Sequence, residues 1–264
     1  MTSPPGREFP WWLLAAAALG AAFLWQVASD ELYRQIFSTL LRGVRITLGV
    51  TAVAFTLATL AGLGLALASL SRSAILRQAA RFYIEIVRGI PILVLLLYVA
   101  FVLAPGLVAF WNWLAEPLGL EPARTRDLPL LWRAVLALAI AYSAFLAEVF
   151  RAGLQSVPAG QIEAAQALGL RPWPRFRHVV FPQAFRTILP PLGNDFVAMV
   201  KDSSLVSILG VLDITQLGKV TAAGNFRYFE TYNVVAFLYL TITIGLSILL
   251  RRLERRLASG RGGH

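Results

Sequence analysis

Side chains that could do covalent or metal chemistry are few in this sequence. Cysteine is absent, there are two histidines, and charged residues make up only 14% of the chain. The two lysines, Lys201 and Lys219, do not end a GxxxxGK pattern, and HExxH, GxSxG and GxGxxG sequences are missing. We therefore predict no catalytic residue, no metal site and no bound cofactor in this chain, and we do not expect it to be an enzyme.

The remaining ionisable groups are informative because of their position. A charged group inside an apolar segment is costly and usually faces a cavity. Glu148 is the only charge between Arg133 and Arg151, and a polar group follows the double proline Pro190-Pro191. We take these side chains as a candidate substrate pathway: Glu148, Asn194, Asp195, Lys201, Asp202 and Ser203. The alternative for Lys201 and Asp202 is an ion pair near the outer membrane interface.

Two Glu-x-x-Arg pairs stand at the ends of apolar runs. They are Glu85 with Arg88 and Glu148 with Arg151. Residues three apart share a helix face, so each pair can neutralise itself. A structural role at the inner mouth of a helix bundle is favoured over substrate contact for all four, although Glu148 remains in the candidate pathway.

The elements that must position these groups are membrane-spanning helices. Hydrophobic residues make up 58% of the chain, and the mean hydropathy is +0.67. A spanning helix needs about 20 mainly apolar residues. Six stretches meet this need: 9–29, 46–71, 89–115, 133–151, 187–211 and 231–250. The fifth stretch is interrupted by Pro190, Pro191, Asp195, Lys201 and Asp202, which predicts that its helix is broken. The expected fold is an all-α integral membrane protein.

Basic residues predict the orientation. With six spans and both termini in the cytoplasm, the inner segments carry thirteen basic side chains and the outer segments six. The inner set includes Arg7 at one end of the chain and Arg256 and Arg261 at the other. The net charge of +10 therefore suits a membrane surface better than nucleic acid. Bulky Trp11, Trp12 and Trp25 in the first span favour an uncleaved helix over a signal peptide.

Small residues recur every four positions along the second stretch, at Ala58, Gly62 and Ala66 and again at Gly64 and Ala68. This spacing lets helix backbones approach closely in lipid, and it predicts a packed bundle.

The longest inner segment contains a short predicted helix. Pro158 suits the first turn of a helix, residues 159–168 are good helix formers, and Gly169 ends it before Pro172 and Pro174. Ala164 and Ala165 add almost no bulk, so a partner protein could dock on this helix. The alternative is a surface helix that rests on its own bundle.

This segment resembles the EAA loop of the membrane subunits of ATP-binding cassette (ABC) importers, E-A-A-x3-G-x9-I-x-L-P. Glu163, Ala164, Ala165, Gly169 and Pro182 match in register, with valine and phenylalanine in place of the isoleucine and leucine. Flanking segments are similar to the polar amino-acid (histidine/glutamine permease) branch of these importers: residues 85–91, 141–151, 182–186, 189–194, 201–205 and 253–256. The resemblance covers about residues 39–256. Ile90 and Ser203 stand where threonine is usual.

The resemblance implies a permease subunit that moves polar amino acids across the bacterial inner membrane. The implied partners are ABC ATPase subunits that bind ATP and Mg, a second permease copy or paralogue, and a periplasmic or lipid-anchored solute-binding protein. The residues expected to couple to the ATPase are Gln161, Glu163, Ala164, Ala165, Leu168 and Gly169. An ATPase-independent secondary carrier or channel is the alternative function.

The resemblance also implies a division of the chain. Residues 1–30 would form an N-terminal tail and an extra transmembrane span. Residues 31–256 would form the five-helix importer core, with the coupling loop at 154–183, and residues 257–264 a cytoplasmic tail. With the extra span, about six transmembrane helices are expected.

Overall fold

The computed structural model describes residues 11–259, with the backbone alone for Trp12 and residues 256–259. Arg7, Arg261 and the end of the expected tail lie outside this range. Every regular element within it is helical: α1 (Trp11–Ser29), α2 (Glu31–Ser69), α3 (Ala74–Gly89), α4 (Ile92–Tyr98), α5 (Ala104–Ala115), α6 (Leu130–Gln155), α7 (Ala159–Ala167), α8 (Pro172–Arg175), α9 (Phe181–Asp202), α10 (Ile214–Asn225) and α11 (Tyr228–Ser259). The all-α fold class is thereby confirmed.

Five shorter helical turns join these elements. Two are π-helical, Val99–Leu103 and Phe176–Val180, and three are 3-10 helices, Glu116–Leu118, Thr125–Asp127 and Ser203–Leu209. The π turns leave no gap in the helix, so α4 runs on into α5 and α8 runs on into α9. Pro172 therefore opens a new helix rather than continuing the loop after Gly169.

Within the described range, four helical segments are long and apolar enough to cross a membrane. They are Glu31–Ser69, Ile92–Leu118, Leu130–Gln155 and Tyr228–Arg255, and a shorter apolar helix covers Leu13–Ser29. The α9 helix is absent from this set, and it carries four charged residues, Arg186, Asp195, Lys201 and Asp202. The count of six spans stays a prediction that requires α1 and α9 to cross as well.

The main core is built around α6, which packs against α2, α3, α4 and α9. Small residues on α2 permit the closest of these contacts, since Ala58, Gly62 and Ala66 are all buried. A Cβ atom on Gly62 would lie 3.0 Å from the Leu146 Cβ atom, whereas one on Gly64 would meet no atom within 4 Å. The predicted close packing is therefore confirmed for the first repeat of small residues only.

A second core joins α1 to α2, α10 and α11. The Phe23 ring stacks on Phe237 of α11, with 4.6 Å between ring centroids, and meets Tyr33 of α2 edge-on at 5.8 Å. Val27 of α1 is buried in the same cluster. The C-terminal part of the first helix therefore packs against α2 and α11.

The predicted break at the double proline is wrong. Pro190 and Pro191 lie inside α9, which remains α-helical from Phe181 to Asp202. Each proline removes one backbone donor, but α9 packs along both α6 and α11, and neighbouring helices let a membrane helix accommodate proline. The change of geometry comes twelve residues later, at the 3-10 turn that begins with Ser203.

Candidate functional site

The short helix α7 has well-defined ends. Pro158 precedes its first residue, and Gly169 follows it with a φ of +72°, the left-handed region that glycine adopts without strain. The Leu170 amide donates to the Ala165 carbonyl at 3.1 Å and the Gly169 amide to the Gln166 carbonyl at 2.9 Å. These two bonds satisfy carbonyls that a helix end would otherwise leave free. The predicted helix and its glycine stop are confirmed.

One face of α7 is fixed to its own chain. Ala165 is 3% exposed, Val157 just before the helix is buried, and Ile162 packs against the main core. This corrects the expectation that Ala164 and Ala165 form one free surface. Neighbouring positions on a helix point about 100° apart, so Ala165 lies under the helix and Ala164 does not.

The opposite face of α7 is uncovered. Gly160, Glu163, Ala164 and Ala167 are all exposed. Their spacing of i, i+3, i+4 and i+7 places them on a single stripe. Gln161 is also exposed, and Leu168 at the end of the helix is 82% exposed. The result is an outward face of small side chains with one carboxylate and one exposed leucine at its end.

An aromatic ladder continues from α8 into α9. Ring centroids of Trp173 and Phe176 are 5.9 Å apart, those of Phe176 and Phe181 are 6.0 Å apart, and those of Phe181 and Phe185 are 5.7 Å apart. All four residues are exposed or only partly covered. Exposed rings of this kind are typical of a surface that meets another protein or lipid.

The end of α6 that leads into α7 is tied to α9. The Ser156 hydroxyl, directly after α6, donates to Thr187 Oγ1 of α9 at 3.2 Å. A Cβ atom on Gly153 would lie 2.2 Å from Ile188 Cγ1, so α6 and α9 touch closely at this level. The last turn of α6, which continues into α7 through residues 156–158, is therefore in direct contact with α9.

The Glu148–Arg151 pair near the C-terminal end of α6 forms as predicted. The Arg151 guanidinium donates to the Glu148 carboxylate, at 3.2 Å from Nε and 2.5 Å from Nη2. A further Arg151 nitrogen donates to Gln155 at 2.8 Å. Glu148 thus has its charge balanced within its own helix.

The predicted pair of Glu85 and Arg88 is wrong. Within residues 11–259 the structure records no ion pair between them, and the Arg88 guanidinium instead lies 5.8 Å from the centre of the Phe145 ring on α6. A ring face attracts a cation, and Arg88 at the last turn of α3 is long enough to reach it. Glu85 stays exposed.

The polar group on α9 divides between two faces. Asp195 and Asp202 are seven residues apart and share one face, while Asn194 and Lys201 share another about 100° away. The Tyr142 hydroxyl of α6 donates to Asp202 Oδ2 at 2.7 Å, and Asp195 is near enough to interact electrostatically with the same phenol. The two aspartates therefore face α6.

The alternative of a Lys201–Asp202 pair at the outer interface is also wrong. Adjacent helix residues do not face each other, and Asp202 bonds Tyr142, which lies at the midpoint of α6. Lys201 instead lines a cavity of about 310 Å³ together with Thr243, Ser247 and Arg251 of α11. Ser203 is buried, and its hydroxyl donates to the Val200 carbonyl at 2.7 Å.

Two polar residues of α6 were not expected to matter. Tyr142 became part of the candidate site only through its bond to Asp202. Arg133 is buried, and its guanidinium donates to the carbonyls of Leu128, Ala100 and Thr125. Arg133 thereby ties the loop before α6 to the π turn after α4. The available signal was a lone tyrosine or arginine inside an apolar run.

The part of the chain that the structure describes contains no set of side chains that could bind a metal ion. Within residues 11–259 no three His, Cys, Asp or Glu side chains lie together in a way that could hold an ion. The candidate polar groups are the carboxylates of Asp195 and Asp202 with the Tyr142 phenol on the side of α6, and the Lys201 amine with the Arg251 guanidinium on the side of α11.

The chain is similar to known membrane transport proteins. The sequence profile of the family described as "Binding-protein-dependent transport system inner membrane component" matches residues 58–259. The chain is 36% identical over 222 residues to the probable amino-acid permease protein YxeN of Bacillus subtilis (strain 168), covering 84% of this chain and 92% of that protein. It is 36% identical over 218 residues to the glutamine transport system permease protein GlnP of Escherichia coli (strain K12), covering 83% and 92%.

Another relative and two solved structures extend the likeness. The octopine transport system permease protein OccM of Rhizobium radiobacter is 34% identical over 241 residues, covering 88% of each chain. The crystal structure of an amino acid ABC transporter with histidines superposes with a TM-score of 0.72 at 37% identity, covering 86% of this chain and 98% of that one. The MetNI methionine ABC transporter, in an inward-facing conformation, shares the fold with a TM-score of 0.64 at 22% identity, covering 86% and 99%.

The match over residues 58–259 and the relatives above 30% identity confirm the resemblance seen in the EAA loop and its flanks, and the chain belongs to the family of binding-protein-dependent transport system inner membrane components, the membrane permeases of ABC transporters.

Proposed function

We propose that this chain is the permease subunit of an ATP-driven importer of polar amino acids, coupled through α7 to a separate ATPase. The observation that carries the proposal is the two-sided character of α7. Its inner face, with Ala165, is packed on the bundle, while the stripe from Gly160 to Ala167 is uncovered. Small side chains on an anchored helix let a partner approach its backbone closely.

Coupling follows from what α7 is attached to. When the ATPase subunits bind ATP and Mg and close, they would displace α7. The Ser156–Thr187 hydrogen bond and the close contact at Gly153 transmit this displacement to α6 and α9 as a rigid-body movement. Those two helices carry Glu148, Tyr142 and the polar group of α9. The substrate pathway would therefore change shape when the ATPase closes.

Substrate recognition would use the two faces of α9. Asp195 and Asp202, on the face toward α6, offer carboxylates to an ammonium group, and Lys201, on the face toward α11, offers a cation to a carboxylate, so an amino acid passing along α9 would meet a partner for each of its charges in turn. The substrate shifts the equilibrium between conformations only as far as it binds one better than the other. The relatives are named for amino acids, glutamine and octopine, which supports this class of substrate.

The assembly would contain further chains. A second permease, identical or paralogous, would complete the pathway, and an external solute-binding protein would deliver the amino acid. The chain would lie in the bacterial inner membrane with both termini in the cytoplasm, which places α7 on the side of the ATPase.

Reconstitution separates this function from its alternative. Vesicles that contain the permease, its ATPase and the solute-binding protein should accumulate labelled amino acid only when ATP is supplied on the ATPase side. A secondary carrier or channel would equilibrate the amino acid without the ATPase. Transport by the permease alone, at the rate of the complete complex, would contradict the proposal.

A further inference from the structure

An open groove runs between α1 and α11. It has a volume of about 670 Å³. Small residues on both walls make it wide: Ala16, Ala17 and Gly20 on α1, and Ala236 and Gly245 on α11. A Cβ atom on Gly245 would meet no atom within 4 Å, and one on Gly20 would make only ordinary contact with the Phe237 ring. The side chains of this protein therefore leave the space unfilled.

The groove has the polarity and length of a lipid chain. Its lining is apolar apart from Asn233 and Thr241. On α1 it extends from Leu13 to Phe23, which is about 15 Å of helix at about 1.5 Å per residue. The hydrocarbon core of a bilayer is about 30 Å thick, so this length equals about one leaflet.

The two helices that form the groove are in contact at its Phe23 end. The rings of Phe23 and Phe237, both of which belong to the lining, stack with 4.6 Å between their centroids, so α1 and α11 close the groove at that end. A helix with its side chains is about 10 Å across. A single flexible chain of methylene groups fits such a cleft better than a helix does.

Cationic side chains stand at one end of the groove. Ile248 is the last lining residue on α11, and Arg252 lies one turn further along the same face. Arg252 and Arg255 are exposed, and neither has an ion pair within the described residues. A guanidinium group binds a phosphate through charge-assisted hydrogen bonds.

We propose that this groove binds an anionic phospholipid, with one acyl chain between α1 and α11 and the phosphate at Arg252. The lipid would hold α1 against α11 where the two helices do not fill the space themselves. This inference does not depend on the transport function, because it concerns the outer surface of the second core.

Lipid retention by the purified full-length chain tests the acyl part of the proposal. The protein is purified from membranes in mild detergent, exposed to phosphatidylglycerol and phosphatidylcholine with identical chains, and analysed by native mass spectrometry. Ala17→Phe should fill the groove and lower phosphatidylglycerol retention several-fold. Ala18→Phe puts the same ring on the same helix outside the lining, and it should retain as much lipid as the unmodified protein. Equal retention by the two variants would overturn the proposal.

Charge variants test the phosphate part. An arginine that meets the headgroup of an anionic lipid contributes about 1 kcal/mol, so losing that contact weakens binding about fivefold. Arg252→Gln should therefore reduce the preference for phosphatidylglycerol over phosphatidylcholine about fivefold. Arg251→Gln is the matched control, since Arg251 lines the other cavity beside Lys201. The preference of this variant for phosphatidylglycerol should equal that of the unmodified protein. Equal binding of the two lipids by the unmodified protein would refute an anionic site.

Two further experiments test whether something other than a phospholipid occupies the groove. Glycerol phosphate alone should fail to displace the bound lipid, and complete displacement would show a headgroup site without the acyl chain. The chain contains no cysteine, so Gly245→Cys introduces the only thiol. Efficient disulfide dimers of this variant in membranes would show that a second copy covers the groove and would overturn the proposal, whereas monomers support it.

Discussion

Tyr142 and Asp202 show how single residues acquire a role through the fold. Asp202 could be selected from the sequence, because a carboxylate in an apolar stretch is costly without a function. Its partner could not, since the two residues lie 60 positions apart and meet only when α6 and α9 pack together. Arg88 likewise contacts a residue distant in sequence, the Phe145 ring, rather than the nearby Glu85, so its partner could not be predicted from the sequence.

The Tyr142–Asp202 hydrogen bond should matter to both stability and transport. Tyr142→Phe removes the donor from a partly buried carboxylate, which costs about 2 kcal/mol of unfolding free energy. We expect a lower midpoint of thermal unfolding and several-fold slower uptake, with association to the ATPase unchanged. Tyr98→Phe, at an exposed tyrosine of α4, is the control. Normal uptake by Tyr142→Phe would remove Asp202 from the candidate pathway.

Helix ends were predicted well where a local signal decides them. Pro158 and Gly169 bound α7 as the sequence indicated, since capping depends on a few neighbouring residues. The course of α9 was not predicted, because the double proline is accommodated by α6 and α11, which are distant in sequence. The buried side of α7 was missed for the same reason, as it is fixed by the bundle rather than by the helix itself.

Packing between α2 and α6 offers a matched test on one helix. Gly62→Leu forces a side chain against Leu146, and overpacking of this kind costs about 2 kcal/mol. Gly64→Leu adds the same side chain two residues away, where nothing lies within 4 Å of the Cβ atom. The midpoint temperature of thermal unfolding of the purified protein should fall clearly for Gly62→Leu and stay nearly unchanged for Gly64→Leu. Equal effects would show that α2 does not pack on α6 in this register.

The whole molecule combines a main core around α6 with a second core that includes α1. Composition alone predicted a helical membrane protein, because so much apolar surface cannot be buried within a chain of this size. The attachment of α1 was not predictable, since it depends on contacts of Phe23 with Tyr33 and Phe237. The number of helices that cross the membrane still depends on α1 and α9.

Topology is tested with reporter fusions. With six spans and both termini in the cytoplasm, a fusion after Glu121 should report a periplasmic position and one after Ala258 a cytoplasmic position. The excess of basic residues in the inner segments is the reason for this orientation. If the two reporters give the opposite result, α7 would lie on the wrong side of the membrane for an ATPase.

The central claim is that the outward face of α7 docks on an ATPase, and the most direct test measures ATPase pull-down by tagged permease together with ATP-driven uptake. Ala164→Trp places a large ring on the uncovered stripe, so the variant should fold normally but lose both ATPase association and uptake. Ala165→Trp, directed into the bundle, should instead reduce the amount of folded protein. Ala74→Trp, at the exposed first residue of α3, should change neither ATPase association nor uptake. Full ATPase binding and full uptake by a well-folded Ala164→Trp variant would contradict the account.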